Sequence, residues 1–162
     1  MLKFLKPTKY VEKMNDLNFE EFYKDGFKAI LFDIDNTLVL HGKPSNEDTK
    51  KFINYLKNIG FEIIVVSNNI EKRVRPFAND LNIKLVYNAN KPMRIGYQKA
   101  LKQLNLTNKE VIFIGDQLFT DIWGANRMNI YSILVKPISK KEPINIKIKR
   151  LLEILILKII YK

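Results

Sequence analysis

Five short apolar runs constrain this chain more than any other feature. Lys28 to Asp33 (KAILFD), Phe61 to Ser67 (FEIIVVS), Lys84 to Tyr87 (KLVY), Glu110 to Gly115 (EVIFIG) and Tyr131 to Val135 (YSILV) show no clean alternation of apolar and polar residues. Helical patterns separate them. Ser45 to Ile59 starts on a good N-cap residue, sets Phe52, Ile53, Leu56 and Ile59 on one face and stops at Gly60. Glu71 to Leu81 reads as a helix that Pro76 is expected to kink or restart. Pro92 suits the first turn of a helix running to about Leu104, and Phe119 to Met128 reads as helical despite Gly124. Near the start, Asn18 and Glu21 have the spacing of a capping box and open a short helix that Gly26 closes. Strands apolar on both faces and separated by helices belong to a parallel sheet covered on both sides. The expectation is a three-layer, doubly wound α/β fold, which binds its ligands beyond the C-terminal ends of the strands.

Composition narrows the chemistry. The 162 residues suit one domain. The absence of cysteine excludes disulfides, thiolate metal sites and cysteine nucleophiles, and the single histidine, His41, excludes multi-histidine metal sites. Acid–base work must rest on carboxylates, lysine or hydroxyls. The net charge of +11 is unevenly spread, with eight basic and two acidic residues in 136–162. A basic tail attracts polyanions, either nucleic acid or an anionic membrane surface. No signal peptide is visible, and Leu151 to Tyr161 is too short to span a bilayer, which takes about 20 residues. The expected location is cytoplasmic, with peripheral attachment to a membrane left open.

The strand ends carry the chemistry. The first ends in Asp33-Ile-Asp35-Asn-Thr37, the second in Ser67-Asn68-Asn69. Lys91-Pro92 follows the third, and the fourth ends in Gly115-Asp116 with Asp121 five residues on. Clustered carboxylates repel unless a cation neutralises them. Oxygen-only ligands favour Mg²⁺, which bridges to phosphate. A carboxylate is a competent nucleophile toward phosphorus, and a second one two residues on can protonate the leaving oxygen and then activate water. A serine and a lysine stabilise the phosphoryl oxygens as charge spreads.

These four motifs resemble those of the haloacid dehalogenase (HAD) superfamily. The strings FDIDNTLV, VVSNN, RVRPFA, NANKP, GDQLFTDIWGANR and YSILVKPI further resemble the YqeG-type phosphatases of its subfamily IIIA. That group includes enzymes that dephosphorylate phosphatidylglycerophosphate. The resemblance spans about Phe4 to Ile138 and implies a Rossmann-like core. It implies Asp33 as nucleophile and Mg²⁺ ligand, and Asp35 as general acid/base with its main-chain carbonyl on the metal. Asp116 and Asp121 are implied as further metal ligands, and Lys91 as the charge-stabilising lysine. Thr37 and Ser67 are implied on the substrate side, as turn brace and phosphate-binding hydroxyl. Asn68, beside Ser67, and Arg127, on the helix after the fourth motif, are added as candidate substrate contacts. Arg127 alternatively caps its helix, Trp123 reads as core, His41 as a loop residue near the mouth, and Arg73 and Arg75 as a solvated helix face.

Two gaps describe the site. Leu38 to Pro44 is enough for a turn, and residues 69–90 are filled by one helix and one strand, so neither holds a cap domain. An open site suits a substrate that brings its own bulk, such as a lipid headgroup, a protein or a nucleic-acid end. The chain divides into a core, 1–138, with a helical lead-in, and a basic C-terminal helix, 139–162. On that helix Ile148, Leu151, Leu152, Leu155 and Ile159 share a face, with Lys147, Lys149, Arg150, Lys158 and Lys162 elsewhere. It is either an interfacial helix or a terminal helix packed on the sheet or on another subunit. The leading expectation is a Mg²⁺-dependent phosphatase of a phospholipid phosphate such as phosphatidylglycerophosphate. The alternatives are a soluble or macromolecular phosphomonoester, or a non-catalytic RNA- or ribosome-associated protein. The last is disfavoured by the intact motifs and the lack of an aromatic-glycine RNA motif.

Overall fold

The computed structural model describes residues 2–139 and 142–161; of the tail, Lys140, Lys141 and Lys162 lie outside them. Six strands form one parallel sheet: β1 (Lys9–Val11), β2 (Ala29–Phe32), β3 (Glu62–Val66), β4 (Lys84–Val86), β5 (Val111–Gly115) and β6 (Tyr131–Val135), in the order β1-β6-β5-β2-β3-β4. Helices α1 (Phe19–Lys24), α2 (Glu47–Ile59), α3 (Glu71–Asp80), α4 (Arg94–Leu104), α5 (Trp123–Arg127) and α6 (Ile144–Ile160) connect and flank them. From β2 the chain steps outward through β3 and β4, then crosses back to β5 and proceeds the other way. The direction of winding therefore reverses beside β2, where such sheets open a crevice for ligands.

The strands lack alternation because both sheet faces are covered. Ile30 and Phe32 pack with Phe22, Ile53, Leu56 and Phe77 on one side. Ala29 and Leu31 pack with Tyr97, Ala100, Leu104 and Ala125 on the other. All four residues of β2 are wholly buried.

Several local expectations are corrected. The N-cap of α2 is Asn46, whose Oδ1 accepts from Thr49 N at 2.8 Å; Ser45 instead donates its hydroxyl to Asp80. Helix α3 runs through Pro76 as one helix. Pro76 and Lys72, whose carbonyl loses its partner to the proline, are both exposed, on the solvent side of the helix. Pro92 lies ahead of α4, which starts at Arg94 after a cap residue at Met93. The lead-in is not purely helical: Lys9–Val11 pairs in parallel with Ile133–Val135 as the edge strand β1. Finally, the segment after β5 begins as a π-helical turn, Leu118–Ile122, before α5.

Candidate active site

Register brings the motif residues together. Phe32, the last residue of β2, pairs with Ile114 on one side and Val65 on the other, so β3 and β5 run one residue past β2. The next residues, Asp33, Ser67 and Asp116, emerge side by side at the switch point, and all are buried. The loop after β4 delivers Lys91, which Asn68 clamps: its Oδ1 accepts from Lys91 N at 2.6 Å and its Nδ2 donates to Lys91 O at 3.1 Å. Asn68 thus positions the lysine, and its amide is already engaged on both sides.

The π turn explains how Asp121 joins the cluster. Ile122 N reaches back to Gln117 O at 3.2 Å, a wider loop than an α turn makes. Tyr97 Oη donates to Thr120 O at 3.0 Å or to Asp121 O at 3.1 Å from below, and Asp121 Oδ2 accepts from Gln117 N at 3.1 Å. Gly115 makes room, since a Cβ there would lie 2.5 Å from Asp121 Oδ2.

At the centre, Lys91 Nζ bonds Asp33 Oδ1 and Asp121 Oδ1, each at 2.7 Å. Asp33, Asp116 and Asp121 offer oxygens that all lie within 4.8 Å of one another. Asp116 Oδ1 accepts from Thr37 Oγ1 at 3.2 Å. Burial pushes the Asp33 carboxyl up to about 6 against the pull of Lys91, with Asp121 adding to the rise. Burial and then the Asp33 charge push Asp116 well above the carboxylate range, opposed by Arg150. Burial alone would lower Lys91, but Asp121 and Asp33 outweigh it and hold its ammonium above the usual range.

Asp35 stands apart from this cluster. Its Oδ1 accepts from Gly42 N at 2.8 Å and Arg73 Nη2 at 3.0 Å, and its Oδ2 from Asn69 Nδ2 at 2.7 Å. Arg73 is therefore an ion-pair partner of Asp35, not a solvated helix face. Ser67 Oγ accepts from Asn69 N at 3.1 Å, which leaves its proton available to donate. Arg127 is not brought to the cluster: its Nη1 faces Pro92 O at 3.4 Å and its guanidinium lies over Trp123. Trp123 is half-buried against Phe4, and His41 is exposed.

The C-terminal helix contributes a group that the motifs do not contain. Arg150 of α6 bonds both the side chain and the main-chain carbonyl of Asp116. It also pairs with Glu142 at 2.7 Å and Glu153 at 3.0 Å. Glu153, only 4% exposed, accepts from Leu118 N at 2.8 Å. Five carboxylates here (Asp33, Asp116, Asp121, Glu142 and Glu153) share the two cations Lys91 and Arg150. Buried, all-oxygen and short of positive charge, the Asp33–Asp116–Asp121 set fits a hard divalent cation.

The comparisons with known proteins agree with this geometry. Residues 41–129 match the family model of haloacid dehalogenase-like hydrolases. The chain is 34% identical over 143 residues to the probable phosphatase YqeG of Bacillus subtilis, covering 86% of this chain and 82% of the relative. It is 27% identical to the chloroplastic/mitochondrial phosphatidylglycerophosphate phosphatase 1 of Arabidopsis thaliana, covering 96% of this chain and 48% of that protein. The cobalt-bound deoxy-D-mannose-octulosonate 8-phosphate phosphatase of Haemophilus influenzae shares the fold, with a TM-score of 0.56 at 17% identity over 82% of this chain and 77% of that one. The chain belongs to the haloacid dehalogenase-like hydrolases and is an enzyme of phosphatase type. Among the described residues, its sheet carries no cap domain.

Proposed function

We propose that the protein is a Mg²⁺-dependent phosphomonoesterase that works through an aspartyl-phosphate on Asp33, with a phospholipid phosphate such as phosphatidylglycerophosphate as substrate. The observation that carries the chemistry is the buried cluster of Asp33, Asp116 and Asp121 with Lys91 between two of its members. Asp33, Asp116, Asp121 and the main-chain carbonyl of Asp35 would hold the cation. Bound there, it supplies charge that neutralises the carboxylates and the phosphoryl oxygens.

Lys91 takes Oδ1 of Asp33 and orients the carboxylate, and Oδ2 attacks phosphorus. The P–O bond to the leaving group breaks as the new one forms. Asp35 would enter the step protonated, with one of its three donors given up, pass that proton to the leaving oxygen and end as the carboxylate, which then takes a proton from the water that hydrolyses the aspartyl-phosphate. The Ser67 hydroxyl and the Lys91 ammonium receive the negative charge that spreads over the phosphoryl oxygens. The lipid reading is supported by the Arabidopsis relative, by the open site, and by the apolar outer face of α6, where Ile148 and Ile159 are 58% and 65% exposed. That face also supports peripheral attachment to an anionic membrane.

The test is phosphate release from phosphatidylglycerophosphate, nucleotides, sugar phosphates and phosphopeptides, with and without Mg²⁺. Lipid is expected to lead the panel, chelation to stop turnover, and Asp33→Asn to lose it with the melting transition retained. Near-wild-type turnover in that variant would remove the aspartyl-phosphate mechanism.

A further inference from the structure

A groove of about 570 Å³ runs between α6 and the β6 side of the sheet. Leu118, Leu134, Val135, Leu151, Ile154 and Leu157 line it. The size is in the range of small-molecule sites, about 300–1,000 Å³. We propose that this groove takes the hydrocarbon chain of the substrate whose phosphate is handled at Asp33. The proposal rests on the lipid-phosphate reading above and gives it a location.

Three features select a hydrocarbon chain as the occupant. The first is continuity with the site: Asp116 both lines the groove and belongs to the acid cluster, its carboxylate within 4.8 Å of Asp33 and Asp121. A chain in the groove and a phosphate at Asp33 can therefore belong to one molecule. The second is that the charged lining is satisfied internally. Arg150 pairs with Asp116, Glu142 and Glu153, and the last also caps the Leu118 amide. Apart from Tyr10 and two lysines, what faces the groove beyond this network is apolar, and it offers water few partners. The third is charge at the exposed margin, where Lys136 and Lys147 also line the groove. They suit the anionic remainder of a phospholipid and disfavour a basic peptide.

The experiment uses the full chain and two readouts. Calorimetry follows the binding of butyl-, hexyl- and octylphosphonate, all below their micellar concentrations, with Mg²⁺ present. Steady-state kinetics follow the matching alkyl phosphates, with p-nitrophenyl phosphate as the chainless reference. Affinity and kcat/KM are expected to rise with chain length, by at most about fourfold per methylene, the value for full burial of each. Leu151→Glu and Ile154→Glu change residues that are both groove-lining and solvent-exposed, so the fold tolerates them. They are expected to flatten the dependence on chain length while leaving turnover of p-nitrophenyl phosphate unchanged. Phosphonate binding independent of chain length in the wild type overturns the proposal. So does retention of the full dependence in both variants, or a dimer in sedimentation that Ile154→Glu dissociates while chain length has no effect. Chain-dependent binding with no turnover of any phosphate keeps the groove and removes the phosphatase reading, so the two failures are distinguishable.

Discussion

At the scale of single residues, the acid cluster is a balance that Lys91 holds. The lysine side chain is 2% exposed and bridges two carboxylates. Lys91→Met leaves buried acids uncompensated, which in comparable pairs costs about 3–5 kcal/mol. The metal-free variant is expected to melt well below wild type, and added Mg²⁺ to restore part of the difference; a melt insensitive to Mg²⁺ would count against the cation site. Gly115→Ala tests the same cluster from the backbone. Its Cβ displaces the Asp121 carboxylate, and Mg²⁺ affinity by calorimetry is expected to fall about 10- to 100-fold, as when the groups supporting a ligand are disturbed. Asp33, Asp116, Asp121 and Lys91 were legible in sequence because each directly follows an apolar strand or stands at a fixed offset from one. Arg73, Asn69 and Arg150 were not. Arg73 reaches Asp35 across 38 positions and Arg150 reaches Asp116 across 34, and no local pattern encodes such pairings. The one available signal was a pair of opposite charges, Arg150 and Glu153, inside an otherwise aliphatic run.

At the scale of elements, periodicity located five of the six strands and the helices, and failed where a segment takes its structure from a partner. Lys9–Val11 is three residues long and is a strand only because β6 offers an open edge, with Thr8 bonded to Ser132 at its start. The π turn was equally invisible, since Leu118–Ile122 has an ordinary helical composition and is widened by the contacts of Asp121 and Tyr97. Between elements, Lys28 at the foot of β2 bonds Glu110 at 2.7 Å, just before β5. The hydrogen bonds from Lys28 and Thr107 hold the Glu110 carboxyl down at about 2, from an ordinary 4.5. A depressed carboxyl stabilises the fold above its unfolded value, and that contribution is lost as pH falls through the folded value. Glu110→Gln is therefore expected to melt slightly below wild type at neutral pH, because the pair is solvent-exposed and screened. The two melting curves should converge between pH 4.5 and about 2; a constant gap across that window would assign the difference to another cause.

At the scale of the whole molecule, the orientation of α6 decides how the enzyme meets its surroundings. A helical wheel shows which residues share a face but not which face docks. Here the docking side is the one bearing Arg150, Glu153 and Leu157, because Asp116, the Leu118 amide and the Leu118–Ile122–Leu134 cluster wait beneath it. Ile148, Leu155 and Ile159 consequently point outward, 58%, 57% and 65% exposed, beside the exposed Lys147, Lys149 and Lys158. Arg150, spent on Asp116, adds nothing to the outer charge. Under the peripheral attachment proposed above, this apolar face ringed by lysines would rest on the anionic bilayer. Each lysine near such a surface contributes about 1 kcal/mol, which salt screens, whereas the apolar contribution resists salt. Binding to anionic vesicles is thus expected to weaken with salt without vanishing, and neutral vesicles to bind less. Changing Ile148, Leu155 and Ile159 together to Ser should abolish the salt-resistant fraction. None of the three lines the groove beside Asp116, so octylphosphonate affinity should not change. Co-sedimentation at low and high salt reads the outcome, and a triple variant that still binds at high salt like wild type would show that α6 is not the membrane-facing element.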